Sequence, residues 1–130
     1  MKPVTKEWVE KAEGDFAIAT MAMRKRTDRK RVFDSVCYHC QQCAEKYLKA
    51  RLVEAGTAFP YTHDLERILQ LALVHEPLWS SLQPPGRFLT DCAVDFRYPG
   101  QNATETVAKE AMRHCKTIRT EARHALGLKN

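Results

Sequence analysis

The chain has 130 residues, 44% of them hydrophobic and 28% charged, which is ordinary for one soluble globular domain and excludes disordered, collagen-like and low-complexity classes. No apolar run approaches the roughly 20 residues of a membrane span, and the charged stretch from Met1 to Glu13 lacks the apolar core of a signal peptide. The net charge of +5 lies in one segment, because Arg24 to Arg31 (RKRTDRKR) holds six bases and one acid while the rest holds 15 of each. We expect residues 1–130 to form one domain, located in the cytoplasm.

Apolar residues at spacings of three and four predict a first helix from about Thr5, its N-cap, to Arg24. A second helix is predicted from about residue 34 to residue 55, where Asp34 or Ser35 caps the start and Gly56 closes the end. The basic segment Arg24 to Arg31 lies between these helices and suits phosphates such as those of RNA. A solvated loop is the alternative interpretation of the same charges.

Prolines and glycines divide the second half of the chain. Thr62 is expected to cap a third helix that continues to about Val74, and a linker over residues 76–85 then contains three prolines. Within the linker we expect a short packed turn formed by Leu78, Trp79 and Leu82.

Two further helices are predicted after the linker. The fourth runs from about residue 87 to residue 97, where Tyr98-Pro99-Gly100 ends it, and the last runs from Thr104 to about Leu126. The last helix carries a heptad-like seam of small residues that permits close helix contact: Ala108, Ala111, Cys115, Ile118 and Ala122. Because no segment alternates like a strand, the predicted fold is all-α, an antiparallel up-down bundle of four long helices plus a short extra helix.

The odd number of cysteines favours reduced thiols in a cytoplasm; they are Cys37, Cys40, Cys43, Cys92 and Cys115. Three of them flank His39 on the second helix and suggest a metal site. A zinc site of this kind needs a turn and a second ligand pair, and the sequence offers neither. We therefore interpret these thiols as small core residues and expect neither a metal nor a cofactor.

One face of the second helix is polar beside its apolar stripe. His39, Gln42, Lys46 and Lys49 are spaced by three, four and three residues, which places them within roughly 80° of one another. Such a stripe at the core boundary lines a groove or forms a hydrogen-bonded helix flank. His63 and Asp64 open the third helix, where free backbone N–H groups favour an anion, although an acid interacting with the helix dipole is the simpler interpretation.

Four segments, in order, resemble the HEPN domain family. The residues Tyr38 to Ala50 (YHCQQCAEKYLKA) resemble its second-helix signature, Phe59 to Leu65 (FPYTHDL) its next motif and Arg97 to Pro99 (RYP) its third, while Trp8 to Asp15 (WVEKAEGD) is similar to its opening helix. The resemblance implies a small helical bundle that pairs as a homodimer. It also implies a minimal nucleotidyltransferase as partner, in some cases as a toxin–antitoxin pair.

Active members of the family are metal-independent ribonucleases that use an arginine and, after a short gap, a histidine. Here the next histidine after Arg97 is His114, far along the following helix, so we expect no catalytic residues. The segment from Arg119 to His124 has the right spacing but lies late in the last helix, where side chains five residues apart diverge.

Three functions are therefore open: a non-catalytic module that binds a nucleotide or another phosphate, a ribonuclease toxin with a displaced active site, and a dimerisation scaffold without a ligand. For the first function we predict one polar groove, with a guanidinium, an ammonium and helix-end amides suited to a phosphate. Its residues are His39, Gln42, Lys46, His63 and Arg97, with Tyr98 at the rim. The alternative is that Arg97 pairs with Asp64 or Asp95 and fastens the helices.

Overall fold

Apolar residues at helical spacing produce helices along most of the chain. The computed structural model describes residues 1–24, 29–96 and 98–130, with the side chains of residues 29–31 outside the description. Within these ranges there are five α-helices and a 3₁₀ helix: α1 (Pro3–Arg24), α2 (Arg29–Ala55), α3 (Leu65–Ala72), the 3₁₀ helix Pro77–Leu82, α4 (Gln83–Asp95) and α5 (Glu105–Ala125). The same ranges contain no β-strand.

The helices α1, α2, α4 and α5 form the bundle, and α3 and the 3₁₀ helix occupy the connection between α2 and α4. The pairing of α1 with α2 is antiparallel, because Glu54 near the end of α2 accepts hydrogen bonds from Lys2 N at 2.9 Å and Thr5 Oγ1 at 2.8 Å. Helix α5 packs along α2 and α4 and also contacts α1. The predicted all-α bundle of four long helices with a short extra helix is confirmed.

The predicted apolar faces meet in a single core. The residues of the α5 seam are completely buried, with 0% exposure at each position: Ala108, Ala111, Cys115, Ile118 and Ala122. All five cysteines are free thiols and buried, as the interpretation of these residues as core predicted. Cys40 donates its thiol to Met112 Sδ at 3.3 Å, which ties α2 to α5.

Two residues expected to cap helices have other roles. Thr5 lies inside α1 and is fully buried, because its hydroxyl donates to Glu54 of α2. Asp34 lies inside α2, which begins at Arg29, and its carboxylate accepts the backbone N–H of Ala103 at 2.7 Å. The Asp34 carboxylate thus holds the connection between α4 and α5 instead of capping a helix.

The third cap was predicted two residues too early. Asp64, not Thr62, is the N-cap of α3, and its carboxylate accepts Glu66 N at 3.1 Å. The start of α4 was predicted four residues too late, because Pro84 and Pro85 lie in its first turn, where an N–H has no intrahelical partner to lose. In the predicted packed turn Trp79 and Leu82 are buried, but Leu78 is 87% exposed, contrary to the expectation.

Candidate functional site

A cavity of about 560 Å³ lies between α2, α4 and the loop that leads into α3. We call it the α2–α4 cavity. Its α2 wall carries Tyr38, Gln41 and Gln42, whose spacing of three and four residues places them on one helix face. The remaining lining residues come from the loop and from α4: Tyr61, His63, Asp64, Thr90, Ala93 and Val94.

Aromatic rings flank this cavity on two sides. Tyr38 is 49% exposed and Tyr61 is 91% exposed, although both rings are large and mainly apolar. The ring of Tyr61 contacts the imidazole of His63 edge to face, with ring centroids 5.3 Å apart. Exposed rings beside a concave surface are available to stack on a planar ligand.

Hydrogen bonds fix the polar wall of the cavity. Gln42 Nε2 donates to Gln41 Oε1 at 2.8 Å, and Gln41 Nε2 donates to Glu45 Oε1 at 2.9 Å and to the backbone carbonyl of His63 at 3.2 Å. The imidazole Nδ1 of His63 lies 2.9 Å from the same Glu45 oxygen. The chain of amides therefore holds Gln42 and His63 in defined orientations at the cavity surface.

An ion pair lies behind this wall. Lys49 Nζ is 2.9 Å from Glu45 Oε2, and both side chains are buried, with 7% and 5% exposure. The ammonium also lies 5.7 Å and 5.6 Å from the ring centroids of Trp8 and Phe59. Burial raises the pKa of the Glu45 carboxyl, but hydrogen bonds from Lys49, His63 and Gln41 outweigh burial, so that its pKa is lowered.

The family of the chain follows from a comparison with family models. The model described as HEPN domain matches residues 5–125, nearly the whole chain. The chain belongs to the HEPN family. No curated protein and no solved structure gave a significant match. Two segments that carry the resemblance, Tyr38 to Ala50 on α2 and Phe59 to Leu65 at the entry to α3, supply six of the cavity residues and the buried ion pair behind them.

The residues of the polar stripe on α2 of this HEPN domain contact two different parts of the fold. Gln42 lines the α2–α4 cavity together with His63. His39 and Lys46 instead contact Asp15 of α1: His39 Nδ1 is 2.8 Å from Asp15 Oδ1 and Lys46 Nζ is 2.5 Å from Asp15 Oδ2. These contacts have the form of the hydrogen-bonded helix flank that was the alternative for this stripe.

The other two predicted site residues, Arg97 and Tyr98, follow α4 in the sequence. Arg97 is outside the described residues. Tyr98 is 67% exposed and is not among the residues that line the α2–α4 cavity. A smaller cavity of about 290 Å³, which includes Phe96, shares Tyr38 and Ala93 with the larger one. In the sequence Arg97 directly follows Phe96.

The Arg119–His124 spacing does not bring two side chains to one site. Arg119 donates two hydrogen bonds to the carboxylate of Glu13, at 2.7 and 2.8 Å, and its guanidinium lies 4.3 Å from the ring centroid of Phe16. The hydrogen bond with Glu13 raises the pKa of Arg119. His124 is exposed near the end of α5. The arginine of this pair therefore fastens α5 to α1.

Asp15, Gln41 and Glu45 are the polar residues that sequence reasoning missed. Gln41, Glu45 and Lys49 follow one another at intervals of four residues, so this stripe was visible in the sequence. Asp15 carries no local signal, because its partners are 24 and 31 residues away.

Two further observations concern the described ranges as a whole. No three His, Cys, Asp or Glu side chains there are arranged to hold a metal ion. None of the helices in those ranges has the length and apolar character needed to cross a bilayer.

Proposed function

We propose that this HEPN protein binds a nucleotide, or another ligand with a phosphate, in the α2–α4 cavity and does not cleave RNA. It forms a homodimer and acts with a minimal nucleotidyltransferase, as one half of a toxin–antitoxin pair. Of the six residues predicted from the sequence, Gln42 and His63 line the cavity, and Arg97 is the proposed guanidinium for the phosphate.

The observation that carries the proposal is the combination of Tyr38 and Tyr61 with a fixed amide and an imidazole around one cavity. Exposed aromatic rings stack on nucleobases with about 1–3 kcal/mol per base. The amide of Gln42, held by Gln41, supplies hydrogen bonds to a base edge or a ribose hydroxyl. The cavity volume of about 560 Å³ is in the range of small-molecule sites.

Isothermal titration calorimetry with ATP, GTP, CTP and UTP tests this proposal. Tyr61→Ala is expected to weaken binding about tenfold through loss of stacking, and Arg97→Ala to weaken it further with little change in melting temperature. Gln42→Ala is also expected to weaken binding, because it removes the amide held by Gln41, and Gln70→Ala, on an exposed position of α3, is its matched control. If no nucleotide binds the wild type and Arg97→Ala removes several kcal/mol of stability, as when a buried pair is broken, the site is structural.

One observation favours ribonuclease activity as the second candidate. The Asp15 carboxylate orients the imidazole of His39 through Nδ1, which leaves Nε2 to accept a proton, as in carboxylate-oriented general bases. Labelled single-stranded RNA incubated with the protein and a chelator tests this function. Cleavage that is lost in His39→Ala and kept in His75→Ala, whose histidine contacts Thr57 instead, would favour the ribonuclease over the binding module.

A further inference from the structure

A second concave surface lies between the end of α1 and the first two thirds of α5. This α1–α5 groove has a volume of about 400 Å³, and its lining residues are separate from those of the α2–α4 cavity. Four cationic side chains line it: Arg24, Lys109, Arg113 and Lys116. The α5 cations are spaced by four and three residues, so they share one face of the helix opposite Arg24.

The acidic residues near the groove offset only part of this charge. Lys109 Nζ is 3.5 Å from Glu105 Oε1, and Arg113 is bonded to Glu110. Both cationic side chains are highly exposed, at 66% and 64%, so these pairs are screened by solvent and exchange readily for a phosphate. Arg24 and Lys116 have no ion-pair partner among the residues that the structure describes.

The side chains between the cations give the groove a partly apolar surface. Met23 from α1 and Met112 from α5 line it beside Thr20, whose hydroxyl donates to the carbonyl of Phe16. A flexible thioether contacts irregular planar surfaces without requiring a fixed geometry. The groove thus combines cations for a charged backbone with apolar contacts for bases or sugars.

The charge also continues along the chain. Arg24 is the first residue of the basic segment Arg24 to Arg31, whose other residues follow it directly in the sequence. We propose that the α1–α5 groove binds the phosphodiester backbone of a single-stranded nucleic acid. A positively charged groove with contacts to the bases is the general means of binding single strands without sequence preference.

Fluorescence anisotropy with labelled oligo-U RNA and oligo-dT DNA of about 12 nucleotides tests the proposal over about 50–200 mM salt. Each lost phosphate contact lowers the slope of log Kobs against log salt by about 0.7 for a single strand. R24Q/K116Q is therefore expected to lower that slope by about 1.4, and R24K/K116R to retain it. Tighter binding of RNA than of DNA would assign the ligand as RNA, and equal binding would assign recognition to the shared backbone.

The matched control is K6Q/K11Q, which removes the same charge from exposed positions of α1 at least nine residues before Thr20, the first lining residue of the groove. The control is expected to bind like the wild type, and circular dichroism verifies that all variants are folded. Wild-type behaviour of R24Q/K116Q would overturn the proposal, particularly if replacement of residues 25–31 abolishes binding. Absence of salt-dependent binding to either oligonucleotide, or equal binding of poly-glutamate, would also overturn it.

Discussion

The carboxylate of Asp15 lies 2.8 Å from Nδ1 of His39, across the contact between α1 and α2. Its second oxygen accepts a hydrogen bond from Lys46, so a carboxylate with 9% exposure serves two partners on the same face of α2. The arrangement fixes the register of α1 against α2 and orients both predicted site residues at once. Asp15 therefore decides how His39 and Lys46 are presented, whichever function they serve.

Asp15→Asn is expected to reduce the free energy of unfolding by about 1–3 kcal/mol, the range for hydrogen bonds to charged groups that lose a partner. Urea unfolding followed by circular dichroism measures this change. Asp91→Asn, at an exposed position of α4, is the control and is expected to change stability by less than about 0.5 kcal/mol. Equal stability of the two variants would show that the Asp15 contacts contribute little.

The ion pair between Glu13 and Arg119 is expected to contribute to the pH dependence of the free energy of unfolding. The hydrogen bond from Arg119, reinforced by the hydroxyl of Tyr47, lowers the pKa of Glu13 below its ordinary value of 4.5. Since the folded pKa is depressed, this contribution is present above about pH 4.5 and is lost as the pH falls through the folded pKa. Urea midpoints measured from neutral to acid pH are expected to fall less steeply in Glu13→Gln than in the wild type.

Glu10→Gln is the control for this pH series, because Glu10 lies at an exposed position of the same helix. It is expected to follow the wild-type profile. If Glu13→Gln loses stability on acidification as steeply as the wild type, the ion pair with Arg119 does not contribute to the acid response.

The seam of small residues on α5 predicts that larger side chains at its buried positions destabilise the fold. Ala111 is completely buried, so Ala111→Leu forces α5 away from its neighbours and is expected to cost about 1–3 kcal/mol. Thermal and urea unfolding measure the loss, with Thr106→Leu at an exposed position of the same helix as the control. Equal stabilities of both variants would mean that the seam does not set the distance between helices.

Periodicity was sufficient to predict the helices because each one buries a continuous stripe, as in α5, where the five seam residues are all buried. Cap residues were harder to predict, because the same side chain can bond elsewhere in the fold. Thr5 and Asp34 are good caps by type, yet their oxygens bond Glu54 and Ala103, which lie 49 and 69 residues away. Such partners are set by the packing of helices and leave no trace in local spacing.

In the candidate site, too, local spacing predicts the helix face of a residue but not its partner in the folded chain. Spacing along α2 grouped the polar residues on one flank of the helix, but it did not reveal which neighbour each one contacts. Gln42 and His63 came together because the loop before α3 returns to α2, where Gln41 bonds the carbonyl of His63. His39 does not join them, because its imidazole contacts Asp15 of α1 instead.

The basic segment Arg24 to Arg31 gives a prediction that is independent of the cavity. Replacing its six Lys and Arg residues by glutamine is expected to abolish salt-dependent retention on heparin without unfolding the bundle. The reason is that this segment holds the whole excess of positive charge of the chain. The elution salt and the melting temperature are measured together, with K6Q/K11Q as the control. Equal elution of the variant and the wild type would leave the segment as a solvated connection.

The homodimer implied by the family is tested by sedimentation velocity at micromolar concentration. A single species of twice the chain mass of 14.9 kDa is expected, with a self-complementary interface as twofold symmetry requires. A monomer at every concentration up to the micromolar range would contradict this prediction.

Modification of the buried cysteines can be used to detect local opening of the helical bundle. The thiols of Cys37, Cys92 and Cys115 lie on α2, α4 and α5, and none is more than 4% exposed. A thiol-selective alkylating reagent can reach each one only when the helices around it separate. The rate of modification at each position, followed by mass spectrometry under native conditions, therefore measures how often the helices around that cysteine open locally.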